Sequence, residues 1–197
     1  LNPQARHNLA VAIFNPFHIV IEGSVGYFSA GLCAGPDISI RGNAGWAVGE
    51  NLMSGEVTVD RNAGASTGAS MRGGEIIVKG DAGARTGISM KGGDLIIGGN
   101  SGFMTGFMMQ KGRVIVCGDI GEGAGDSMYE GEIYVGGNIE SLGNDAKVEE
   151  VTESELIEIW NLLQSHGIPN KPHFQKIVSS KKLYHFDSLE RMEKTVV

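Results

Sequence analysis

The residues best able to act as general bases or metal ligands are five histidines, His7, His18, His166, His173 and His185, and two cysteines, Cys33 and Cys117. None of the histidines falls between residues 23 and 143. A serine or cysteine nucleophile in that stretch would lack an imidazole base beside it, and histidines on successive turns of chain could not gather a metal there. Two cysteines are too few for a disulfide framework or a thiolate-held cluster. Carboxylates are better placed, because Asp37, Glu56, Glu75, Asp94 and Glu132 recur at one position, which Arg113 shares. Paired acids in a groove can cleave a glycosidic bond. As equivalents in a repeat they read more simply as a solvated edge, splayed apart because stacked like charges repel; docking of a basic partner is the second reading. Gly121-Glu122-Gly123-Ala124-Gly125 has the look of a phosphate loop, but no helical pattern follows it, so nucleotide binding is discounted. Cys33, Leu52, Met71, Met90, Met109 and Met128 also share one position. They read as adaptable core packing, with a thioether metal ladder as the rival. This reading assigns no catalytic, no cofactor-binding and no metal-ligating residue.

What would position such groups is a repeat. The chain has 31 glycines in 197 residues, about twice the average usage of ~7%, and they are periodic. Gly23, Gly42, Gly80, Gly99, Gly118 and Gly137, with Arg61 in the same series, fall every 19 residues. Further columns run through Gly26 to Gly121, Gly49 to Gly125 (opened by Ala30) and Gly55 to Gly131 (opened by Pro36). Each unit then carries a short β-branched run: Ile38-Ser39-Ile40, Val57-Thr58-Val59, Ile76-Ile77-Val78, Leu95-Ile96-Ile97, Val114-Ile115-Val116 and Ile133-Tyr134-Val135. A unit this short cannot bury its own apolar face and must stack on copies of itself. Short strands ended by glycines that supply positive φ make one coil of a β-solenoid. The expected fold is all-β: a right-handed, single-stranded parallel β-helix of about six to seven coils, right-handed because parallel crossovers almost always are. Ser24, Asn43, Asn62, Asp81, Asn100, Asp119 and Asn138 sit just after each unit start and are expected to bond their own backbone in the corner turns. Thr67, Thr86 and Thr105 are expected to form a surface strip of hydroxyls. Phe103 and Phe107 nearby are expected to form a contact patch, or to pack under residues 168–187.

The flanks divide the chain into an N-terminal cap and opening strand (1–22), the β-helix (23–144) and a C-terminal helix with an extended arm (145–197). Ile19-Val20-Ile21 lies one period before Ile38, and residues 1–17 are expected to cover the open end of the core. Thr152-Glu153-Ser154-Glu155 is a capping box followed by Leu156, Ile159, Trp160 and Leu163 at helical spacing, and Gly167 and Pro169 stop that helix. It is expected to cap the C-terminal end, with Phe174, Tyr184 and Phe186 in an arm that docks on the solenoid or another chain. Cys33 on an inward column and Cys117 four coils on are expected to be separate thiols, Cys117 outward and the more reactive. The net charge of −7 argues against nucleic-acid binding. No apolar run reaches the ~18 residues of a membrane span and no secretory leader is evident, so the expected location is the cytoplasm. Leu1 stands where a starting Met would, which leaves open whether the N-terminus is complete.

Ile21-Glu22-Gly23, Gly42-Asn43-Ala44-Gly45, Glu50-Asn51-Leu52-Met53-Ser54-Gly55, Gly87-Ile88-Ser89-Met90-Lys91-Gly92 and Val116-Cys117-Gly118-Asp119 resemble the glycine-repeat β-helix domain at the C-terminus of the glutamate synthase large subunit. The match is nearer to stand-alone versions, such as the third subunit of N-methylglutamate synthase and archaeal glutamate synthase domain proteins, and covers residues 5–187. The resemblance implies a structural role in nitrogen metabolism. This chain would hold a glutamine amidotransferase subunit and an FMN-binding, iron–sulfur synthase subunit together, and would not be catalytic alone. FMN and the cluster would sit on those partners and no cofactor on this chain; the resemblance leaves room for a homo-oligomer. The β-helix scaffold subunit of formylmethanofuran dehydrogenase is the alternative within the resemblance. An independent β-helix enzyme acting on polysaccharide is the alternative outside it. Ala30, Pro36 and Arg61 depart from the family's glycines.

Overall fold

Hydrogen bonds between successive coils dictate the architecture. The computed structural model describes residues 3–169 and 173–181. Its strands are β1 (His18–Ile21), β2 (Ala34–Ile40), β3 (Ser54–Val59), β4 (Glu75–Val78), β5 (Lys91–Ile97), β6 (Lys111–Val116), β7 (Glu132–Val135), β8 (Ala146–Glu149) and β9 (Gln175–Ser179), with one helix, α1 (Glu153–Ser165). β1 to β7 pair in order, all parallel, and every core pairing joins residues 19 apart: Ile19 to Ile38, Ile38 to Val57, Val57 to Ile76, and so on to Val114 and Ile133. A second column of bridges, Val25–Ala44–Ala63–Ala82–Ser101–Ile120–Ile139, ties the far side of the coils. The chain is therefore a parallel β-solenoid, as the glycine period predicts.

Between these two walls lies the core. Cys33, Leu52, Met71, Met90 and Met109 have no exposed surface and Met128 almost none, so that column packs inward with Ile38, Val57, Ile76, Leu95, Val114 and Ile133. Residues 3–17 continue the solenoid by most of a turn: the amides of Asn8 and Ala12 reach the carbonyls of Tyr27 and Gly31, and Ala30 and Ala34 bond back to Leu9 and Ile13. Leu9, Ala10 and Ile13 pack on the core from that end.

The corner after each bridge is where glycine is required, and it shows a rule that composition hides. Three columns there have left-handed backbone: Phe28, Ala47, Ser66, Arg85 and Met104; Ala30, Gly49, Gly68, Gly87 and Gly106; and Leu32, Asn51, Ser70, Ser89 and Met108. Only the middle column is glycine. A Cβ at Gly49 or Gly106 would strike the Cδ1 of Ile76 or Ile133 inside the core, whereas Phe28, Leu32 and Met108 on the outer columns are exposed. Positive φ alone is tolerated at a cost of about 1–2 kcal/mol per non-glycine residue; facing the core beneath another coil's strand it calls for glycine, and only Ala30, in the first coil, departs among the described residues of that column.

Four expectations need correcting. The Asn/Asp column does not bond its own backbone. The side-chain oxygens of Asn43, Asn62, Asp81, Asn100 and Asp119 accept from the backbone N–H of the equivalent residue one coil later, at 2.7–3.1 Å, because the stack brings that amide closer than any local one. Thr67, Thr86 and Thr105 form no surface strip; they are fully buried and each hydroxyl donates to the carbonyl three residues back at 2.9 Å. Cys117 faces outward but is 1% exposed, because α1 covers it. It is as protected as Cys33, whose thiol is pushed up by burial; the two cysteines form no disulfide. The helix follows the strands as predicted, with the capping box of Thr152 and Glu155 complete, but lies on the flank. Ile159 and Leu163 pack on Ile77, Ile96, Ile115 and Tyr134, the outward residues of β4 to β7. The end of the sheet is covered instead by β9, which pairs antiparallel with β7 and with β8 and sends Ile177 into the core. Tyr184, His185 and Phe186 of the expected arm lie outside the described residues.

Gly55 tests the coil geometry. Its φ is +95° and an added Cβ would overlap the Pro36 carbonyl oxygen of the coil below. Backbone cannot yield as a side-chain tip can, so Gly55→Ala should destabilise by at least ~2 kcal/mol, read as a lowered urea midpoint. Gly167→Ala, also at positive φ (+68°) but with nothing within 4 Å of the added Cβ, should cost only the backbone part, about 1–2 kcal/mol, and less than Gly55→Ala.

Candidate functional site

Two surfaces depart from a plain solenoid. The first is the helix-covered flank. The outward residue of each strand runs Val20, Ser39, Thr58, then Ile77, Ile96, Ile115, Tyr134, and turns apolar where α1 begins to cover it. Helix and sheet are then locked by charge. Lys176 Nζ donates to Glu155 Oε1 at 2.7 Å, and the Tyr134 hydroxyl donates to Glu132 at 2.8 Å. Arg113 grips Asp94 with two bonds, 2.7 and 3.0 Å, and reaches Glu158 at 3.3 Å. His166 Nε2 lies 2.9 Å from Glu75 Oε2. Glu155 thus meets β9 beside β7, Glu158 meets β6, and His166, eleven residues beyond Glu155, meets β4. Glu155 also accepts from Tyr134 of β7, and eleven helical residues rise ~16 Å, close to the ~14 Å of the three strand spacings from β7 to β4; α1 runs along the stack.

The acidic column is therefore solvated only in part: Asp37 is exposed, and the members from Glu56 on are half-buried and partnered. Asp37 pairs with His18 at 2.9 Å, Asp94 with Arg113, Glu75 with His166, and Glu56 accepts from the Thr58 hydroxyl at 3.0 Å. Asp94 is offset by Arg113 one coil on, and Glu75 is met by His166 from far along the chain. The same logic runs in a neighbouring column, where Asp60 sits between Arg41 and Lys79 and the Lys79 ammonium holds its carboxyl below the usual range. Sequence reasoning missed His166 because it looked for histidines within the coils. The signal that could have found it is the outward column turning apolar at Ile77, which announces a covering element.

The second surface is a corner bearing exposed rings. Tyr27, Trp46 and Phe103 occupy one repeat position with Ala65 and Ala84 between them. His7 stacks on Tyr27 at 4.5 Å and Tyr27 on Trp46 at 5.1 Å, and Trp46 is 57% exposed. Phe28 and Trp46 wall a shallow depression floored by Ala47, Ala69 and Ser70. Phe103 is exposed, with the Arg85 guanidinium 6.0 Å from its ring centre; Phe107 is half-buried. Ile168 and Phe174, in the described part of the C-terminal segment, pack with α1 on the other flank and not under these rings. Single exposed rings are ordinary; here His7, Tyr27 and Trp46 are grouped on one corner, with Phe103 further along it.

The glycine loop 121–125 has its amides engaged: Gly121, Gly123 and Gly125 donate to Ser101 O, Ser141 Oγ and Thr105 O, leaving no cradle of N–H groups for a phosphate. Among the described residues no helix is long and apolar enough to cross a membrane.

Comparison with known proteins places this geometry. The family model for the GXGXG motif matches residues 11–171, which takes in all the parallel coils and α1. Over 54 residues the chain is 44% identical to Protein GlxC of Rhizobium meliloti (strain 1021), covering 27% of this chain and 24% of that one. The matched segment thus spans about a quarter of that relative's length.

The Glu155–Lys176 pair gives a pH test. The Lys176 ammonium holds the Glu155 carboxyl down at about 2, against an ordinary 4.5. A carboxyl depressed by folding stabilises the fold above its unfolded pKa, and that contribution fades as pH falls from ~4.5 towards 2. Glu155→Gln should therefore be less stable than the natural chain at pH 6, and the gap should close by about pH 2, as urea midpoints would show.

Proposed function

The chain belongs to the GXGXG motif family, which makes it a glutamate-synthase-related protein, and on that premise we propose that it is a structural subunit that joins a glutamine amidotransferase chain to an FMN-binding, iron–sulfur synthase chain. Ammonia freed by the first would be used by the second to make glutamate, and this chain would fix their separation without supplying a reacting group. The observation that carries the reading is where the polar chemistry goes. The carboxylates of the repeat column and the coil amides bond neighbouring coils, the covering helix or a hydroxyl on their own strand, and the corner threonine hydroxyls bond carbonyls of their own coil, so what the solenoid offers outward is shape and the aromatic corner. A rod whose coils are fixed at constant spacing is suited to holding two larger chains apart at a set distance. Nitrogen metabolism, residence in the cytoplasm and FMN and a cluster on the partners are parts of the same proposal.

Two measurements test it. Purification from the native source should bring down an amidotransferase chain and a flavin-bearing chain; a tungsten- or molybdenum-containing dehydrogenase in their place would favour the formylmethanofuran reading, and purification alone with polysaccharide-cleaving activity would overturn both. Independently, Trp46→Asp with Phe103→Asp should leave far-ultraviolet circular dichroism intact and weaken partner binding at least tenfold, about 1.4 kcal/mol, in a pull-down titration. Unchanged affinity would remove the aromatic corner from the interface.

A further inference from the structure

Glu56 and Glu75 are the one adjacent pair in the acidic column without a full counter-charge. Asp37 has His18, and Asp94 has the two-bond grip of Arg113. Glu56 and Glu75 face each other in register on β3 and β4, and the sole ion-pair partner that the described residues give the two is His166. His166 is also the C-cap of α1, its own N–H bonded to the Gln164 and Leu163 carbonyls, and no basic residue stands in the last helical turn. Two carboxylates and the negative end of a helix thus converge on one imidazole. A cation at that spot is favoured by all three.

The ligand atoms are already gathered. One oxygen from each glutamate and one ring nitrogen of His166 lie within 4.8 Å of one another, and Nε2 of His166 is 2.9 Å from Glu75 Oε2. Tetrahedral zinc with bonds of about 2.0–2.1 Å needs its ligand atoms ~3.3 Å apart, so the histidine–Glu75 spacing is nearly right and a turn of the Glu56 side chain closes the set. Thr58 Oγ1, bonded to Glu56 Oε1 at 3.0 Å, orients that carboxylate as outer partners of metal ligands do. The imidazole side chain is only 12% exposed, which keeps it from swinging into water. We propose that Glu56, Glu75 and His166 bind one divalent transition-metal ion of the zinc class, clipping the C-terminal end of α1 to β3 and β4. Imidazole with two carboxylates suits such an ion better than calcium or magnesium, which take oxygen ligands. Three protein ligands leave one position for water. The site is independent of the partner-holding role and its test does not involve partners.

The test is a cobalt(II) titration of the full, tag-free chain after chelator treatment, read by visible absorption, followed by displacement with zinc. One equivalent should bind with the intense bands of a low-coordinate site and raise the thermal midpoint. His166→Asn and Glu75→Gln should each weaken binding at least tenfold. Glu56→Gln should do the same and is the safeguard against misfolding, since Glu56 bonds only a surface hydroxyl. His173→Asn with His185→Asn should leave binding unchanged. Titration with no saturable one-equivalent step, or binding that survives Glu56→Gln and His166→Asn, or binding lost with His173 and His185 instead, would overturn the proposal.

Discussion

Everything in this molecule depends on a single constraint: each coil hydrogen-bonds to the coil above and below it at a separation of 19 residues. A coil that changed its path would lose bonds on both faces at once, and unmade backbone bonds in a buried wall are costly. Path is thereby inherited from one coil to the next. The columns of identical or similar residues follow from it, since a position that must accept an amide from above, or let a neighbour's backbone approach, must do so in every coil. The Asn/Asp column shows this well, each side chain serving the next coil's amide and being served by the one before.

The same constraint divides the left-handed corner residues into two kinds. Where the side chain points out, any residue that the local backbone cost allows is found, Phe28 and Arg85 included. Where it would point in, the stacked β-branched side chains occupy the volume a Cβ needs, and glycine follows. The glycine repeat is thus a record of crowding as much as of backbone freedom. It also explains why the first coil departs from the pattern: Ala30 takes the inner corner position next to the end of the stack, where Leu9 and Ala10 close the core with small groups.

The flank shows a second level of organisation laid over the repeat. A solenoid of identical coils would be wet along its whole outer sheet face. Here the outer face is apolar on β4 to β7, and α1 with the segment around Phe174 covers it. Charge then fixes the register of the helix along the stack, through Lys176–Glu155 at one end, Arg113–Glu158 in the middle and His166–Glu75 at the other. The column shared by Glu75 and Arg113 thus supplies two of the three handles by which the helix is held.

The period, the strand runs, the inward methionine column and the capping box of α1 were legible from the sequence, because each is local or repeats at a fixed interval, and the interval alone specifies which residues stack. The likeness to the glycine-repeat β-helix family was legible for the same reason. What only the tertiary structure decided lies where distant, non-repeating segments meet the coils. That Cys117 is covered, that β9 inserts between β7 and β8, and that His166 comes to rest against Glu75, 91 residues away in sequence, all depend on the direction in which chain beyond residue 145 folds back. No spacing rule encodes that direction. It is set by which outward face of the stack is apolar enough to be worth burying, a property of four strands together and of no single segment.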